Sequence, residues 1–565
     1  MNALFLVAAI VVVFVFGYRF YAKLLALDIF RLDKNYSTPA RSRADAREYV
    51  PTHPHLLFGH HLAAAGGATL LAAPMAAVAW GWVPAFLWIT IGSAVAAGTY
   101  GLGGFWLSLR HPNSWRQLAA DLAGPHTRLV LFLFALIALV ILLAASAGLT
   151  AAVLSAYPGA AFPVIAVALI ALLLGNFLHG RAEFELLPAS LIAFAASLLA
   201  VWLLGGTPLA FNGKLTLAVG ESEWLSIDAV LVWVVLVLVY VFHAARLPVW
   251  KLMRPRAFLT SLLLLVLLCV FYLALALDHP TLVAPEFHAV GSTSSALPWL
   301  FLIVGPGALA GWQLLVIHFV TAREMRRETD ARYVGYGTAL LQGVIALSAL
   351  LIAVTVAATD AGQWAKLYAM APDATDFPRL LGYYIDGFAR YAAVLRLDPL
   401  FARHLAATVI AGLALAVLES AARALKHLLA EIAPPSPQRP TEGERTRLWL
   451  IVLAGGLLAL YDGRGLGGLV AWPLLALLSL WLAAAGFALV ALALRAAARN
   501  ALLAETLGIV VGLIALWSSL TQLWAWWETG AWIEFVAGLA VLLLAFSILR
   551  EVARRRAGSV AGARA

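Results

Sequence analysis

The stretch Phe58-Gly59-His60-His61-Leu62-Ala63-Ala64-Ala65-Gly66-Gly67-Ala68-Thr69-Leu70-Leu71-Ala72-Ala73-Pro74 decides how the chain is read. It opens an apolar segment, 59–80, long enough to cross a bilayer, because roughly 20 helical residues span the hydrocarbon core of about 30 Å. Two histidines stand at its start, and Gly66, Gly67 and Pro74 interrupt it. In lipid every backbone N–H and C=O needs an internal partner. A spanning segment broken by Gly and Pro is therefore expected only where it is buried in protein or lines a cavity.

Outward from this stretch the whole chain has the same character. Of 565 residues 63% are hydrophobic and 12% charged, with a mean hydropathy of +0.92, which excludes a string of soluble domains. Apolar runs predict an all-α polytopic membrane protein with fifteen spans, near 2–17, 59–80, 84–109, 129–154, 162–178, 187–204, 227–245, 257–277, 297–320, 333–359, 400–424, 446–461, 467–490, 502–524 and 531–549. With the N-terminus outside, the loops assigned to the cytoplasm hold 31 of the 38 Lys and Arg, so the excess of +9 reads as a topology signal of a bacterial inner membrane. It does not read as a nucleic-acid surface. The apolar N-terminus has no basic residue before it, while Arg19 and Lys23 follow, which predicts a first span and not a cleaved signal peptide. The single Cys269 excludes an intrachain disulfide and a CxxC motif.

Three further expectations concern organisation. Residues 379–396 have helical spacing but carry Arg379, Asp386, Arg390 and Arg396, which places them on the outer surface. Residues 1–432 form a core and 433–447 a Pro-rich cytoplasmic linker. Residues 448–556 form a four-helix extension, and 557–565, rich in Gly and Ala, a disordered tail. Trp80, Trp82, Trp524, Trp526 and Trp527 sit where interfacial anchors belong.

A second broken segment, 297–320, contains Gly305, Pro306, Gly307 and Gly311. An odd number of spans separates it from the first, so the two cross in opposite directions. That is the pattern of an inverted-repeat transporter with its site between two broken helices. Close helix packing through small residues would leave the same glycines. Ionisable residues in spans add His60, His61, His243, Arg246, His318, Glu419 and Arg423, each costing about 2.5–3.5 kcal/mol at the bilayer centre unless partnered. Glu419 and Arg423 have the i, i+4 spacing of an intrahelical ion pair. Adjacent His60 and His61 cannot face one metal from the same helix side, so no metal or cofactor is assigned. No phosphate loop, zinc helix or nucleophile motif supports an enzyme.

Several stretches resemble the carbon starvation protein A family. They are Gly17-Tyr18-Arg19-Phe20-Tyr21, Thr38-Pro39-Ala40, Tyr49-Val50-Pro51-Thr52, Phe58-Gly59-His60-His61, Leu247-Pro248-Val249-Trp250, Arg254-Pro255-Arg256, and Glu328-Thr329-Asp330-Ala331-Arg332 running into Gly335-Tyr336-Gly337. They fall in the family's order from residue 17 to about 431. The resemblance implies an inner-membrane carrier related to the amino acid–polyamine–cation superfamily, importing pyruvate or peptides with protons. Against the family pattern, Tyr100-Gly101 replaces His-Asp, Trp312-Gln313 replaces Phe-His, Gln342 and Ala257 replace acids, and Glu419 replaces an Asp; Arg423 is kept.

The pathway residues to which these readings point are His60, His61, Gly66, Gly67, Gly305, Gly307, Trp312, Gln313, Gln342, Glu419 and Arg423. Their partners would be the lipid bilayer and a small organic acid or peptide, with no nucleic acid. A different class, a transporter-derived structural subunit with protein partners in a membrane complex, would also explain the neutralised positions and the unfamiliar extension. A haem protein or membrane enzyme using His60 or His61 is the third reading.

Overall fold

A computed structural model describes residues 1–179, 186–207, 214–219, 222–288, 298, 300–301, 310–356, 361–368, 373–434 and 440–562. Eleven of its helices are long and apolar enough to cross a membrane, or twelve when Pro54–Gly66 and Thr69–Trp80, bent by 48°, count as one broken span. Three of the fifteen expected spans fall outside that count. Ala229–Ala244 is apolar but short. Pro440–Leu460 spends its first turns on Glu442, Glu444, Arg445 and Arg447. The middle of 297–320, residues 302–309 with Gly305 and Gly307, lies outside the described residues.

The helices needed below are α1 (Leu4–Phe16), α2 (Pro54–Gly66), α3 (Thr69–Ala77), α4 (Gly98–Arg110), α5 (Pro125–Ala156), α6 (Ala229–Ala244), α7 (Met253–Asp278), α8 (Gln313–Phe319), α9 (Gly337–Thr355), α10 (Phe377–Val394), α11 (Pro399–Ala430), α12 (Pro440–Leu460), α13 (Trp472–Ala496), α14 (Leu502–Thr529) and α15 (Trp532–Gly562). The innermost is α11. Its apolar window is wholly buried, and it packs on α5, α7, α10, α2 and α12. One antiparallel strand pair, Lys214–Val219 with Ser222–Asp228, departs from the all-helical expectation and leads into α6, where the Asp228 carboxylate caps the helix by accepting from Val230 N at 2.8 Å.

Three local expectations change. Helix α10, which is not among the spanning helices, does not lie alone: Leu380, Leu381, Tyr384, Ile385, Phe388 and Tyr391 are buried against α3, α7 and α11, while Arg390 is exposed and Asp386 is paired to Arg403 at 2.8 Å. Its strong amphipathicity is that of a helix docked into a bundle. Within the C-terminal extension, α13 is built into the bundle. The apolar window of α13 is 89% buried, and α13 packs on α4 and α5, while α14 and α15 remain peripheral. Gly311 makes the closest junction, for a Cβ there would lie 1.8 Å from Ser479 O on α13. Finally, α15 continues to Gly562, so most of the stretch expected to be disordered is helical, consistent with the high helix propensity of Ala and Arg.

Candidate functional site

The break in the second span is built by sequence. Pro54 fixes the first turn of α2, whose His53 side chain caps it by accepting from His55 N at 3.4 Å. The helix runs to Gly66, and Gly67 then adopts φ 65° and ψ −174°. That left-handed φ favours glycine, and a Cβ at Gly67 would lie 2.6 Å from Val417 Cγ2 on α11. The chain resumes as α3 at Thr69 without a side-chain cap, and its first turn closes on the break itself, Leu70 N donating to Gly67 O at 3.4 Å and Leu71 N to Ala68 O at 3.1 Å. Beside it stands Gln342 of α9, 6% exposed, with Nε2 buried and without a hydrogen-bond partner among the described residues. This Nε2 lies 3.4 Å from where a Cβ of Gly66 would be. A buried amide donor without a partner thus stands beside the uncapped start of α3.

One turn earlier on α2, His61 is fully buried. A single tautomer satisfies it: Nδ1–H donates to Thr321 Oγ1 at 3.2 Å, and Nε2 accepts from Gln313 Nε2 at 3.5 Å, with Phe105 edge-on to the ring. Gln313 therefore belongs to the site and reaches His61 from α8. Trp312 beside it is 1% exposed, and its indole N–H has no partner among the described residues.

His60 points to a different cluster. Its Nδ1 lies 3.1 Å from Glu324 Oε1, both side chains being fully buried, and Glu324 Oε2 accepts from Arg254 at 3.3 Å and from Thr52 at 3.4 Å. Arg254 also donates to Thr52 Oγ1. Burial alone would raise the Glu324 carboxyl, but His60 first and then Arg254 and Arg423 hold it below the usual carboxylate range. Glu324 is the buried carboxylate of this cluster that sequence reading missed. It stands in a basic loop where a glutamate reads as solvated, and only the fold brings it beneath α2.

The expected Glu419–Arg423 ion pair is not formed. Glu419 accepts two bonds from Arg256 of α7, Nε to Oε1 at 2.9 Å and Nη2 to Oε2 at 2.8 Å, and a third from Tyr240 of α6. Arg423 instead donates to both oxygens of Glu48 at 2.9 Å and to Leu247 O at 2.7 Å. The planar guanidinium prefers a bidentate carboxylate, and a partner on a facing element offers that geometry where a residue one turn away on the same helix does not. Lys426 and His427 complete the Glu48 cluster at 3.0 and 3.3 Å. Both Glu419 and Arg423 thus join elements, away from the break, and neither reaches Gln342 or His61 through any described hydrogen bond.

The residues that replace the family's charged positions now have packing roles. Tyr100 donates to Gly311 O at 3.0 Å and lies 3.3 Å from Leu482 O, while Gly311 N donates to Ser479 Oγ at 2.9 Å, so the position tethers the start of α8 to α13. Gly101 lets the backbone at Gly335 approach, since a Cβ would lie 2.7 Å from its carbonyl oxygen. Among the described residues no cluster of three or more metal-ligating side chains occurs. Gly305 and Gly307 lie outside the described residues, as does any contact between the two breaks.

With the broken helix and its polar neighbours in place, the sequence comparisons can be read. A profile of the family described as "Carbon starvation protein CstA" matches residues 2–381. The chain belongs to the CstA family. It is 30% identical over 363 residues to a protein named "Peptide transporter CstA" from Campylobacter jejuni, covering 62% of this chain and 50% of that one. It is 27% identical over 359 residues to the "Pyruvate/proton symporter BtsT" of Escherichia coli, covering 62% and 49%. The chain thus spans about half the length of the curated relatives it matches. A crystal structure of a manganese transporter mutant from Eremococcus coleocola aligns with 91% of this chain at 13% identity and a TM-score of 0.45, too distant to inform the site. The CstA match encloses His60, His61, the Gly66–Gly67 break, Trp312, Gln313, Glu324 and Gln342, and ends before Glu419 and Arg423.

Proposed function

We propose that the chain is a membrane carrier for a small carboxylate, pyruvate-like or the terminus of a short peptide, bound at the Gly66–Gly67 break. The observation that carries this reading is the buried Gln342 Nε2 beside the break, a donor without a partner among the described residues, next to the uncapped start of α3. An anion supplies the missing acceptor, favoured further by the helix dipole. The names of the relatives, for peptides and for pyruvate with protons, support the same substrate class. In this reading the second break, at Gly305 and Gly307, closes the site from the opposite repeat. Segments 227–245, 297–320 and 446–461 complete fifteen crossings of the inner membrane, with the N-terminus outside and the C-terminus in the cytoplasm.

Uptake of labelled pyruvate and of labelled dipeptide into proteoliposomes tests it. Gln342→Leu keeps the volume and removes the donor, so KM for the transported anion rises roughly tenfold, equivalent to about 1.4 kcal/mol, while the protein still reconstitutes. Absence of uptake of either substrate class by the wild-type chain, or an unchanged KM in the variant, would overturn the reading.

A further inference from the structure

Away from the break, a groove of about 660 Å³ runs between α1 and α9, open on one side. Its walls are apolar, formed by Val11, Phe14 and Val15 of α1 and Leu340, Leu341 and Val344 of α9, with Phe58 of α2 also lining it. At one end stand Tyr18, Arg19 and Arg332. Arg332 donates Nη2 to Tyr18 O at 2.7 Å and lies over the Tyr18 ring at 4.8 Å, which pins the guanidinium at the mouth. Its Nε is buried and has no hydrogen-bond partner among the described residues. Arg19 is exposed, and the described residues include no acidic partner for it. Two cations therefore share the end of an apolar slot, and one of them holds a buried donor in want of an acceptor.

We infer that this groove binds an anionic phospholipid, with its phosphate against Arg19 and Arg332 and one acyl chain along Val11, Val15, Leu340 and Val344. Charge complementarity selects this occupant. A second copy of the chain would bring the same two arginines, and an apolar occupant would leave both charges at the groove's end without a counter-charge. Val11 lies about two turns before Arg19 on one continuous helical run, Leu4–Ile29, so a head at the arginines places the tail along α1 toward Val11. Both arginines lie in segments whose basic content marks them as cytoplasmic, the leaflet where anionic headgroups attract Lys and Arg. The inference is independent of the substrate reading, since no residue of the Gly66–Gly67 break lines the groove.

The test uses the full chain purified in mild detergent, with phospholipid retained through purification measured by mass spectrometry and thermal stability followed on adding phosphatidylglycerol or phosphatidylcholine. Wild type is expected to retain phosphatidylglycerol over phosphatidylcholine and to be stabilised only by the former, less so in 0.5 M salt. Arg19→Gln, at an exposed position, reduces retained phosphatidylglycerol at least threefold. Val15→Trp fills the slot with both charges intact and does the same. Equal retention of the two lipids by wild type, wild-type retention of phosphatidylglycerol by either variant, or equal stabilisation by inorganic phosphate alone would each overturn the proposal.

Discussion

Glu419 on α11 and Arg256 on α7 are joined by two parallel N–H···O bonds of 2.9 and 2.8 Å, with side chains 1% and 2% exposed. The pair crosses from one helix to the next and receives the Tyr240 hydroxyl as a third ligand. Removing one partner strands the other charge in an apolar interior, which costs about 3–5 kcal/mol. Arg256→Met is therefore predicted to lower the melting temperature in detergent sharply, and Glu419→Gln less so, since the amide still accepts from Arg256. Arg256→Met with Glu419→Leu recovers most of the loss. Fluorescence-detected unfolding of the three purified variants checks the order, and a double variant no more stable than Arg256→Met would contradict it.

Gly67 makes the second prediction. At φ 65°, with Val417 Cγ2 2.6 Å from a Cβ, even alanine is strained and must displace a core valine. Gly67→Ala is predicted to cost about 1–3 kcal/mol and to abolish uptake. Gly66→Leu also abolishes uptake while leaving the protein in the membrane, because its Cβ would lie 2.2 Å from Leu70 Cδ1 and 3.4 Å from Gln342 Nε2, so the side chain displaces Leu70 and crowds the amide. Immunoblots of membranes beside uptake assays separate lost transport from lost protein.

How far the sequence carried the fold follows from these residues. Length and hydropathy place the spans because bilayer thickness imposes them, and Gly66-Gly67 announces a break because only glycine tolerates that backbone. Ion-pair partners are another matter. Spacing on one helix paired Glu419 with Arg423, but Arg256 is 163 positions away from Glu419, and its approach is set by packing of α7 on α11, which no local pattern encodes. The Glu324 carboxylate stayed hidden for the same reason. The depth of α13 in the bundle was likewise not legible, since a hydrophobic span looks alike whether it faces lipid or protein.

The Glu48 cluster gives a pH prediction. Burial would raise this carboxyl, but Arg423 foremost, then His427 and Lys426, hold it well below its ordinary 4.5. A depressed folded-state pKa contributes stability that is fully present above the unfolded value and lost as pH falls through the folded one. The difference in melting temperature between wild type and Glu48→Gln should stay constant from about pH 8 to 6 and narrow below about pH 4.5. A gap that instead closes between pH 6 and 8 would assign the effect to a histidine.

Topology is tested with single cysteines placed in a variant lacking Cys269. An impermeant thiol reagent added outside intact cells should label position 285 and leave position 327 unlabelled until the membrane is opened. Pro285 lies at the far end of α7 from the basic residues Arg254 and Arg256, and Arg327 lies among Arg323, Arg326 and Arg332. Labelling of both from one side would remove the alternation on which the count of fifteen rests.

The last prediction concerns coupling. A proton-driven carrier needs a group in its pathway that changes charge during the cycle. Gly101, Gln313 and Gln342 cannot do so, and Glu419 is locked by Arg256 and Tyr240. His61 has both ring nitrogens engaged by neutral partners, Thr321 and Gln313. What remains near the break is His60 against Glu324, a pair already compensated by Arg254. An inward proton gradient should therefore accelerate uptake only weakly, and the residual acceleration should vanish in His60→Gln while persisting in Glu419→Gln. Proteoliposomes with and without an imposed gradient provide the measurement. Strong acceleration that is lost in Glu419→Gln at normal expression would instead return the coupling role to α11, and with it the mechanism that the substitutions at Gly101, Gln313 and Gln342 argue against.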